Sequence, residues 1–249
     1  MIGLCSVALT RAEDPAPGKQ VEQEFSTPNG SISYLLYLPK QYDAGSAGPA
    51  QSGSQQRWPL MLFLHGRGES DGPLSVVKKW GPPYFIDHGV DYKYIVVSPQ
   101  CPPAPKSWPQ PGEQVLLVAL LDHLTNAFHV DTDRIYLTGL SMGGFGSWRL
   151  AADHPELFAA VVPICGGGNP GDAEKLKNLP IWVWHGAADP VVPVQRSIEM
   201  VQAIKSAGST TIRLTTLEGI GHASWQAAYA SPDLYSWLDH QAASKNRAK

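Results

Sequence analysis

The sequence lacks clustered charge, long apolar runs and a cysteine framework. Only 16% of its residues are charged, the formal net charge is -3, and no stretch is rich in Lys and Arg, so nothing indicates a nucleic-acid partner. No apolar stretch is long enough to span a bilayer. The three cysteines, Cys5, Cys101 and Cys165, allow one disulfide at most. These absences favour a globular protein that depends on its apolar core.

The chain has enough apolar residues for one substantial core. It contains 249 residues, of which 43% are hydrophobic, and we predict a single domain over residues 21–249. The preceding residues 1–20 resemble the remnant of a secretory signal, although Arg11 lies beside the supposed cleavage point. A disordered terminus fits equally well. The first interpretation favours a secreted or periplasmic protein, and the second allows a cytoplasmic one.

Short apolar runs alternate with helical patterns along the chain. Residues 21–39 predict a hairpin about the turn Thr27-Pro28-Asn29-Gly30, at one edge of a sheet. Six later runs are typical of strands buried on both faces: 60–64, 94–97, 135–137, 159–164, 181–184 and 212–217. Helices are predicted at 113–128, 142–153, 193–207 and 232–243. This alternation indicates a mostly parallel α/β sheet with helices on both faces. The low-complexity residues 43–57 predict a mobile surface insertion.

One serine follows a predicted strand at a very tight turn. The segment Gly139-Leu140-Ser141-Met142-Gly143 fits G-x-S-x-G and lies between a strand and a helix. Glycines at these positions allow the strand and the helix to approach closely, and the hydroxyl then projects above the sheet. We therefore predict that Ser141 is a nucleophile.

A serine nucleophile needs a base and an acid that orients the base. In an α/β sheet of this kind the expected chain order is Ser, Asp or Glu, then His, each after a strand. Asp189 and His222 follow the next suitable strands and are our predictions. The rival acids, Asp172 and Asp233, fit a loop and the first turn of a helix better.

The remaining histidines have simpler explanations than catalysis. His65 and His185 both precede a glycine at a strand end, where we expect them to brace the turn by hydrogen bonding. The other histidines lie on or beside predicted helices, or in a loop: His88, His123, His129, His154 and His240.

The reaction also requires donors for an oxyanion. Backbone N–H groups after the nucleophile and in the loop after the third strand usually supply them, which indicates Met142 and Arg67. We expect the Arg67 side chain to form a salt bridge with Glu69, although an anionic substrate group is an alternative partner.

Six segments of the chain can be compared with known proteins: LMLFLHGRGE, IVVSPQCP, DTDRIYLTGLSMGGFGSW, VVPICGGG, IWVWHGAADPVVP and GHASWQ. Together they resemble the α/β-hydrolase superfamily, in particular its dienelactone hydrolase and phospholipase/carboxylesterase-like group, which includes proteins labelled as predicted peptidases or esterases. The resemblance implies a serine hydrolase with Ser141, Asp189 and His222 in the matching positions and neither metal nor organic cofactor. The chain is also similar to feruloyl and acetylxylan esterases and to polyester depolymerases. Ser141 stands where the dienelactone hydrolases usually carry cysteine. In the usual strand order of this fold, Cys101 and Cys165 follow strands that are not neighbours, so we expect free thiols.

The substrate is less well defined by the sequence. Only residues 166–179 lie between Cys165 and Pro180, which follow and precede the predicted strands 159–164 and 181–184. This segment is too short to form a large lid. The site is therefore predicted to be open and to accept small acyl or aryl esters, or an ester on a carbohydrate or polyester. Trp108 and Trp225 fit substrate walls and ordinary packing equally well. Gln100 fits a substrate contact, although a structural role in its turn is favoured.

Three functions remain open at this stage. A carboxylesterase, with a thioesterase as a variant, is favoured; a serine peptidase and a non-catalytic binding protein of the same fold are the alternatives. We expect a monomer with no nucleic-acid partner and no membrane span.

Overall fold

The computed structural model describes residues 14–43 and 56–244, which contain one eight-stranded sheet in the order β1-β2-β4-β3-β5-β6-β7-β8. The pairs β1/β2 and β2/β4 are antiparallel, and every other pair is parallel. The strands are β1 (Gln20–Thr27), β2 (Gly30–Tyr37), β3 (Trp58–Leu64), β4 (Ile95–Pro99), β5 (Val130–Leu140), β6 (Ala160–Ile164), β7 (Ile181–Gly186) and β8 (Ile212–Leu217). The predicted α/β-hydrolase sheet and its N-terminal edge hairpin are confirmed.

The helices cover both faces of the sheet. They are α1 (Gly81–Asp87), α2 (Pro111–Ala127), α3 (Met142–Asp153), α4 (Ala173–Leu176), α5 (Gln195–Ser206), α6 (Trp225–Ala230) and α7 (Pro232–Asp239). One core contains side chains of α2, α3 and α5, and the other contains side chains of α1, α6 and α7. Within β3, Leu60, Leu62 and Leu64 belong to the first core, whereas Met61 and Phe63 belong to the second. Burial on both faces explains why the strands are continuous apolar runs.

The boundaries differ from the prediction in a few places. Helix α7 ends at Asp239, four residues before the predicted end, and the short helices α1, α4 and α6 were not predicted. An isolated bridge joins Pro17 to Leu38, so ordered structure begins before residue 21. Residues 1–13 of the segment 1–20, predicted as a signal remnant or a disordered terminus, lie outside the described residues, as does most of the predicted insertion at 43–57. In the part of the chain described, no helix has both the length and the apolar character needed to cross a membrane.

The link between β6 and β7 is short, as predicted. It consists of residues 165–180 and contains a 3₁₀ turn at Pro170–Asp172 followed by α4. No lid domain is inserted at this point, so this link leaves the carboxyl edge of the sheet uncovered.

His65 braces the end of β3, as predicted. Its Nδ1 donates to the Gly66 carbonyl at 2.6 Å, and its Nε2 accepts from the Cys101 N–H at 2.9 Å. The imidazole is 1% exposed. Burial, together with the nearby Arg67 charge, lowers the pKa of His65 to about 4 despite the opposing bond to Gly66. The ring is therefore neutral at pH 7 and joins the loops that follow β3 and β4.

The start of α3 lies against the end of β3. A Cβ atom added to Gly143 would lie 1.9 Å from the Leu64 carbonyl oxygen, whereas one added to Gly68 would meet nothing within 4 Å. No side chain can be accommodated at Gly143 unless the helix moves away from the sheet.

We expect Gly143→Ala to lower the free energy of unfolding by about 3 kcal/mol or more, because the new methyl group overlaps backbone atoms that cannot rotate aside. Urea unfolding measures this change. Gly68→Ala is the matched control and should change stability by less than about 0.5 kcal/mol. Equal effects of the two substitutions would contradict the close packing of α3 on β3.

His65 should also make stability depend on pH. Its folded-state pKa is depressed, so between about pH 6.5 and 4 the unfolded chain binds a proton that the folded protein does not. The free energy of unfolding contributed by His65 is complete above this window and falls by about 3 kcal/mol as the pH drops through it. We expect the decline, measured by urea unfolding across these pH values, to be clearly smaller in His65→Gln. Parallel profiles for the two proteins would refute the assignment.

Candidate active site

Ser141 occupies the predicted strained turn between β5 and α3. Its φ angle is +52°, and Cys165 is the other non-glycine residue with positive φ among the described residues. The Ser141 N–H donates to the Ile164 carbonyl at 2.9 Å, and the Ser141 carbonyl accepts from the Phe145 N–H at 3.0 Å. Backbone hydrogen bonds to β6 and α3 therefore hold Ser141 in a conformation that is energetically costly for any residue other than glycine.

The structure brings together the three residues predicted to act in catalysis. His222 Nε2 lies 2.9 Å from Ser141 Oγ, and His222 Nδ1 lies 2.7 Å from Asp189 Oδ2. The side chain of His222 is 20% exposed, whereas that of Asp189 is fully buried. Because an ionised carboxylate can only accept, Nδ1 donates to Asp189 and Nε2 is left to accept the Ser141 hydroxyl proton. This is the arrangement of a nucleophile, a base and an orienting acid.

Asp189 is held by the turn that follows β7. Its Oδ1 accepts the N–H groups of Val191 and Val192 at 2.8 and 3.0 Å. Burial alone would raise the pKa of Asp189, but the hydrogen bonds from His222, Val192 and Val191 outweigh it and hold that pKa below the ordinary value. Asp189 is therefore an anion at neutral pH and can stabilise a positive charge on His222.

Backbone hydrogen bonds join the loop that carries His222 to the turn that carries Asp189. The Ala188 N–H donates to the Ile220 carbonyl at 3.0 Å, and the Ala187 N–H donates to the Leu217 carbonyl at 3.0 Å. A Cβ atom at Gly186 would lie 2.1 Å from the Gly221 carbonyl oxygen. This close approach keeps His222 within reach of both Asp189 and Ser141.

The two predicted oxyanion donors occupy suitable positions. Met142 is the first residue of α3, and Arg67 is the first residue of the 3₁₀ turn Arg67–Glu69. The first N–H groups of a helix have no partner within it. The two loops are also adjacent, because a Cβ at Gly66 would lie 2.8 Å from Leu140 Cδ1. The backbone of Met142 and Arg67 as an oxyanion hole remains a prediction that this geometry permits.

The expected salt bridge between Arg67 and Glu69 is wrong. The Arg67 guanidinium instead donates to the Lys106 carbonyl at 2.5 Å, and no ion pair joins it to Glu69 in the described structure. Glu69 is 3% exposed, and burial raises the pKa of its carboxyl group. A solvated guanidinium prefers the reachable carbonyl over a carboxylate that the loop encloses.

Trp108 is not available as a substrate wall. It is fully buried, its Nε1 donates to the His65 carbonyl at 3.0 Å, and its ring packs edge to face on His65. The packing interpretation is therefore correct, and the substrate interpretation is wrong. Residue type alone could not separate them, because a tryptophan suits both.

Gln100 has the structural role that the sequence favoured over substrate binding. Its Nε2 donates to the carbonyls of Glu69 and Gly72 at 3.0 and 3.4 Å. The amide thereby ties the loop after β4 to the loop after β3, and its donor is used within the protein.

Trp225 lies beside His222, the candidate catalytic histidine. A wall of the substrate site would have to lie there. The Trp225 ring is perpendicular to the His222 imidazole at a centroid distance of 5.4 Å, and the ring of Trp80 packs on it at 5.9 Å. Trp80 was not predicted to lie near this site. Its location in the long loop after β3, which also carries Arg67, was the available signal.

A cysteine lies close to two of the candidate catalytic residues. One ligand atom from each of Cys165, Asp189 and His222 lies within 4.8 Å of the others, which makes these residues the one metal-type cluster among those described. Burial raises the pKa of the Cys165 thiol to about 12, and a metal would need the thiolate. We interpret the cluster as the hydrogen-bonded pair of Asp189 and His222 with a neutral thiol beside it. Cys101 and Cys165 are both free and buried, which confirms their prediction.

Known proteins similar to this chain include enzymes that act on esters. Poly(3-hydroxyalkanoate) depolymerase C of Paucimonas lemoignei is 30% identical over 57% of this chain and 33% of its own length. Acetylxylan esterase A of Emericella nidulans is 24% identical over 65% of this chain and 51% of its own length. The chain thus spans between a third and about half of these two relatives.

A solved structure and a family model also match this chain. The crystal structure of a thermostable esterase is 32% identical and matches with a TM-score of 0.74, over 90% of this chain and 63% of that one. The model of the dienelactone hydrolase family matches residues 107–248, which include Ser141, Asp189 and His222. With the α/β-hydrolase sheet and the family match both established, this chain belongs to the dienelactone hydrolase family.

Proposed function

We propose that the chain is a serine hydrolase that cleaves carboxylic esters with Ser141 as nucleophile, His222 as base and Asp189 as orienting acid. The observation that carries the proposal is the continuous hydrogen-bonded line from Ser141 Oγ through His222 to Asp189 Oδ2. Membership of the dienelactone hydrolase family and the esterase names of similar proteins support it.

The geometry fits a two-step reaction through an acyl-serine. Ser141 Oγ attacks the ester carbonyl carbon while its proton passes to His222 Nε2, and the carbonyl electron pair moves to the oxygen. In this proposal the backbone N–H groups of Met142 and Arg67 donate to that oxyanion. The C–O bond to the alcohol then breaks, and the alcohol takes the proton from Nε2.

The second step returns the enzyme to its starting state. Water attacks the acyl-Ser141 carbonyl and gives a proton to His222 Nε2, after which the bond to Oγ breaks and Oγ regains that proton. The free acid is released. Asp189 holds the imidazole in the tautomer that both steps require and stabilises its transient positive charge.

The surroundings of His222 favour a small acyl or aryl ester. The short link between β6 and β7 leaves no lid at that point to shelter a long lipid chain. Trp225 and Trp80 offer an aromatic surface beside the imidazole, which suits the acyl or aryl group of an ester. The names of the relatives extend the proposal to an ester carried on a carbohydrate or a polyester.

The alternatives receive less support. A peptidase must protonate a poorer leaving group and usually binds an extended peptide, and no feature of the described residues suggests such a surface. A binding protein gains nothing from a hydrogen-bonded Ser141, His222 and Asp189. A thioesterase uses the same residues, and only tests with different substrates separate it from a carboxylesterase.

We also propose that the protein is secreted or exported to a periplasm, because its first residues resemble the remnant of a secretory signal. A cytoplasmic location is the alternative.

We expect p-nitrophenyl esters from acetate to decanoate to be hydrolysed, with shorter chains preferred, and Ser141→Ala to reduce kcat by at least about 1,000-fold because the nucleophile is lost. A peptide p-nitroanilide tested alongside should not react. Cleavage of the anilide without ester turnover would make the peptidase correct, and Ser141→Ala with wild-type turnover would overturn the proposed nucleophile.

We expect Trp225→Ala to raise KM for an aryl ester about tenfold, because the ring that would contact the aryl group is removed. Trp225→Phe keeps an aromatic face and should raise KM less. Phenyl-substituted and acetyl esters measured in parallel give the control, since the acetyl group is too small to depend on the indole. An equal change for both esters would show that Trp225 supports His222 rather than the substrate.

A further inference from the structure

A second histidine contacts the same carboxylate as the candidate base. His185 is fully buried near the end of β7, and its Nε2 lies 2.8 Å from the Val192 carbonyl and 3.2 Å from Asp189 Oδ2. Because a carbonyl oxygen can only accept, Nε2 carries the proton. The same N–H therefore faces the oxygen of Asp189 that accepts from His222.

The other nitrogen of His185 is connected to the surroundings of the nucleophile. Nδ1 lies 2.7 Å from Ser197 Oγ, which in turn lies 3.2 Å from the Gly166 carbonyl. Gly166 packs on the first turn of α3, since its added Cβ would lie 2.6 Å from the Gly144 carbonyl carbon. His185 thus occupies a fully buried chain of contacts that leads from Asp189 to the helix after Ser141.

We propose that His185 is a positioning residue that directs Asp189 Oδ2 towards His222 and withdraws part of its negative charge. The proposal rests on the assignment of Ser141, His222 and Asp189 as the catalytic residues. The titratable groups that face the Asp189 carboxylate are His185, His222 and the Cys165 thiol. Among these, His185 is the neighbour whose N–H competes with His222 for Oδ2.

Removal of the His185 N–H should shift the pH dependence of turnover in a definite direction. Without the His185 N–H, Asp189 presents more negative charge to His222, which favours the protonated imidazole. The base is then free only at a higher pH. When His185 no longer fixes Asp189 Oδ2, the His222 imidazole is also held less firmly. We therefore expect kcat to fall more than the affinity for the substrate.

The first test is His185→Phe, which keeps a ring and removes both nitrogens. With p-nitrophenyl acetate we expect kcat to fall about tenfold, KM to change less than about twofold, and the acid limb of kcat/KM to move up by about 0.5 to 1 pH unit. Ser197→Ala is the matched control, because it removes the contact at Nδ1 and leaves Nε2 on Asp189. Its acid limb should not move.

Two further variants decide the case if His185→Phe does not fold. A glutamine amide reaches about as far as Nε2, and an asparagine amide about as far as Nδ1. We therefore expect His185→Gln to retain more turnover and a more normal pH profile than His185→Asn. The reverse order would indicate a purely structural contact with Ser197 and overturn the proposal.

Ser141→Ala separates this proposal from the proposed function. If that variant loses ester turnover while folded His185→Phe keeps the wild-type kcat and acid limb, the inference about His185 is wrong and the serine hydrolase assignment stands. If Ser141→Ala retains turnover, the assignment itself fails.

Discussion

The candidate site depends on the close approach of backbones at the carboxyl edge of the sheet. Gly143 lies against the Leu64 carbonyl, and Gly144 lies against Ile164 and Gly166, at distances that leave no room for a Cβ. These contacts fix where β5 ends and α3 begins. The position of Ser141 is therefore set by main-chain packing. The turn that carries Asp189 and the loop that carries His222 meet in a similar way where Gly186 lies against the Gly221 carbonyl.

Burial determines how the charges in this site behave. The Asp189 carboxylate has no exposure to solvent, so its charge is acceptable only because several N–H groups replace the lost water. Two of them come from its own turn and fix Oδ1, while His222 and His185 contact Oδ2. The turn after β7 thus both keeps the carboxylate ionised and orients it. Glu69 lies in the opposite situation, where burial without comparable compensation raises its pKa.

Much of the fold and of the candidate site could be predicted from the sequence because both leave strong local signals. Apolar runs that alternate with helical patterns indicated the strands, and G-x-S-x-G together with the chain order of Asp189 and His222 indicated the candidate triad. The prediction that failed and the one left open both concern side chains whose environment is set by distant segments. The Arg67 guanidinium binds the Lys106 carbonyl instead of Glu69, and Trp108 packs on His65. Neither contact has a periodicity or spacing that could reveal it, and the short helix α1 begins with a Gly-Pro-Pro sequence that also suits a turn.

The two buried thiols bear on where the domain can operate. Burial raises the pKa of both Cys101 and Cys165 to about 12, so at pH 7 both are almost entirely neutral thiols. The thiolate is the form that reacts with peroxides and with other disulfides. The folded core therefore presents almost no oxidisable sulfur at these positions. Its integrity should be the same in an oxidising compartment as in a reducing one, so the redox state of the surroundings places little constraint on this part of the chain.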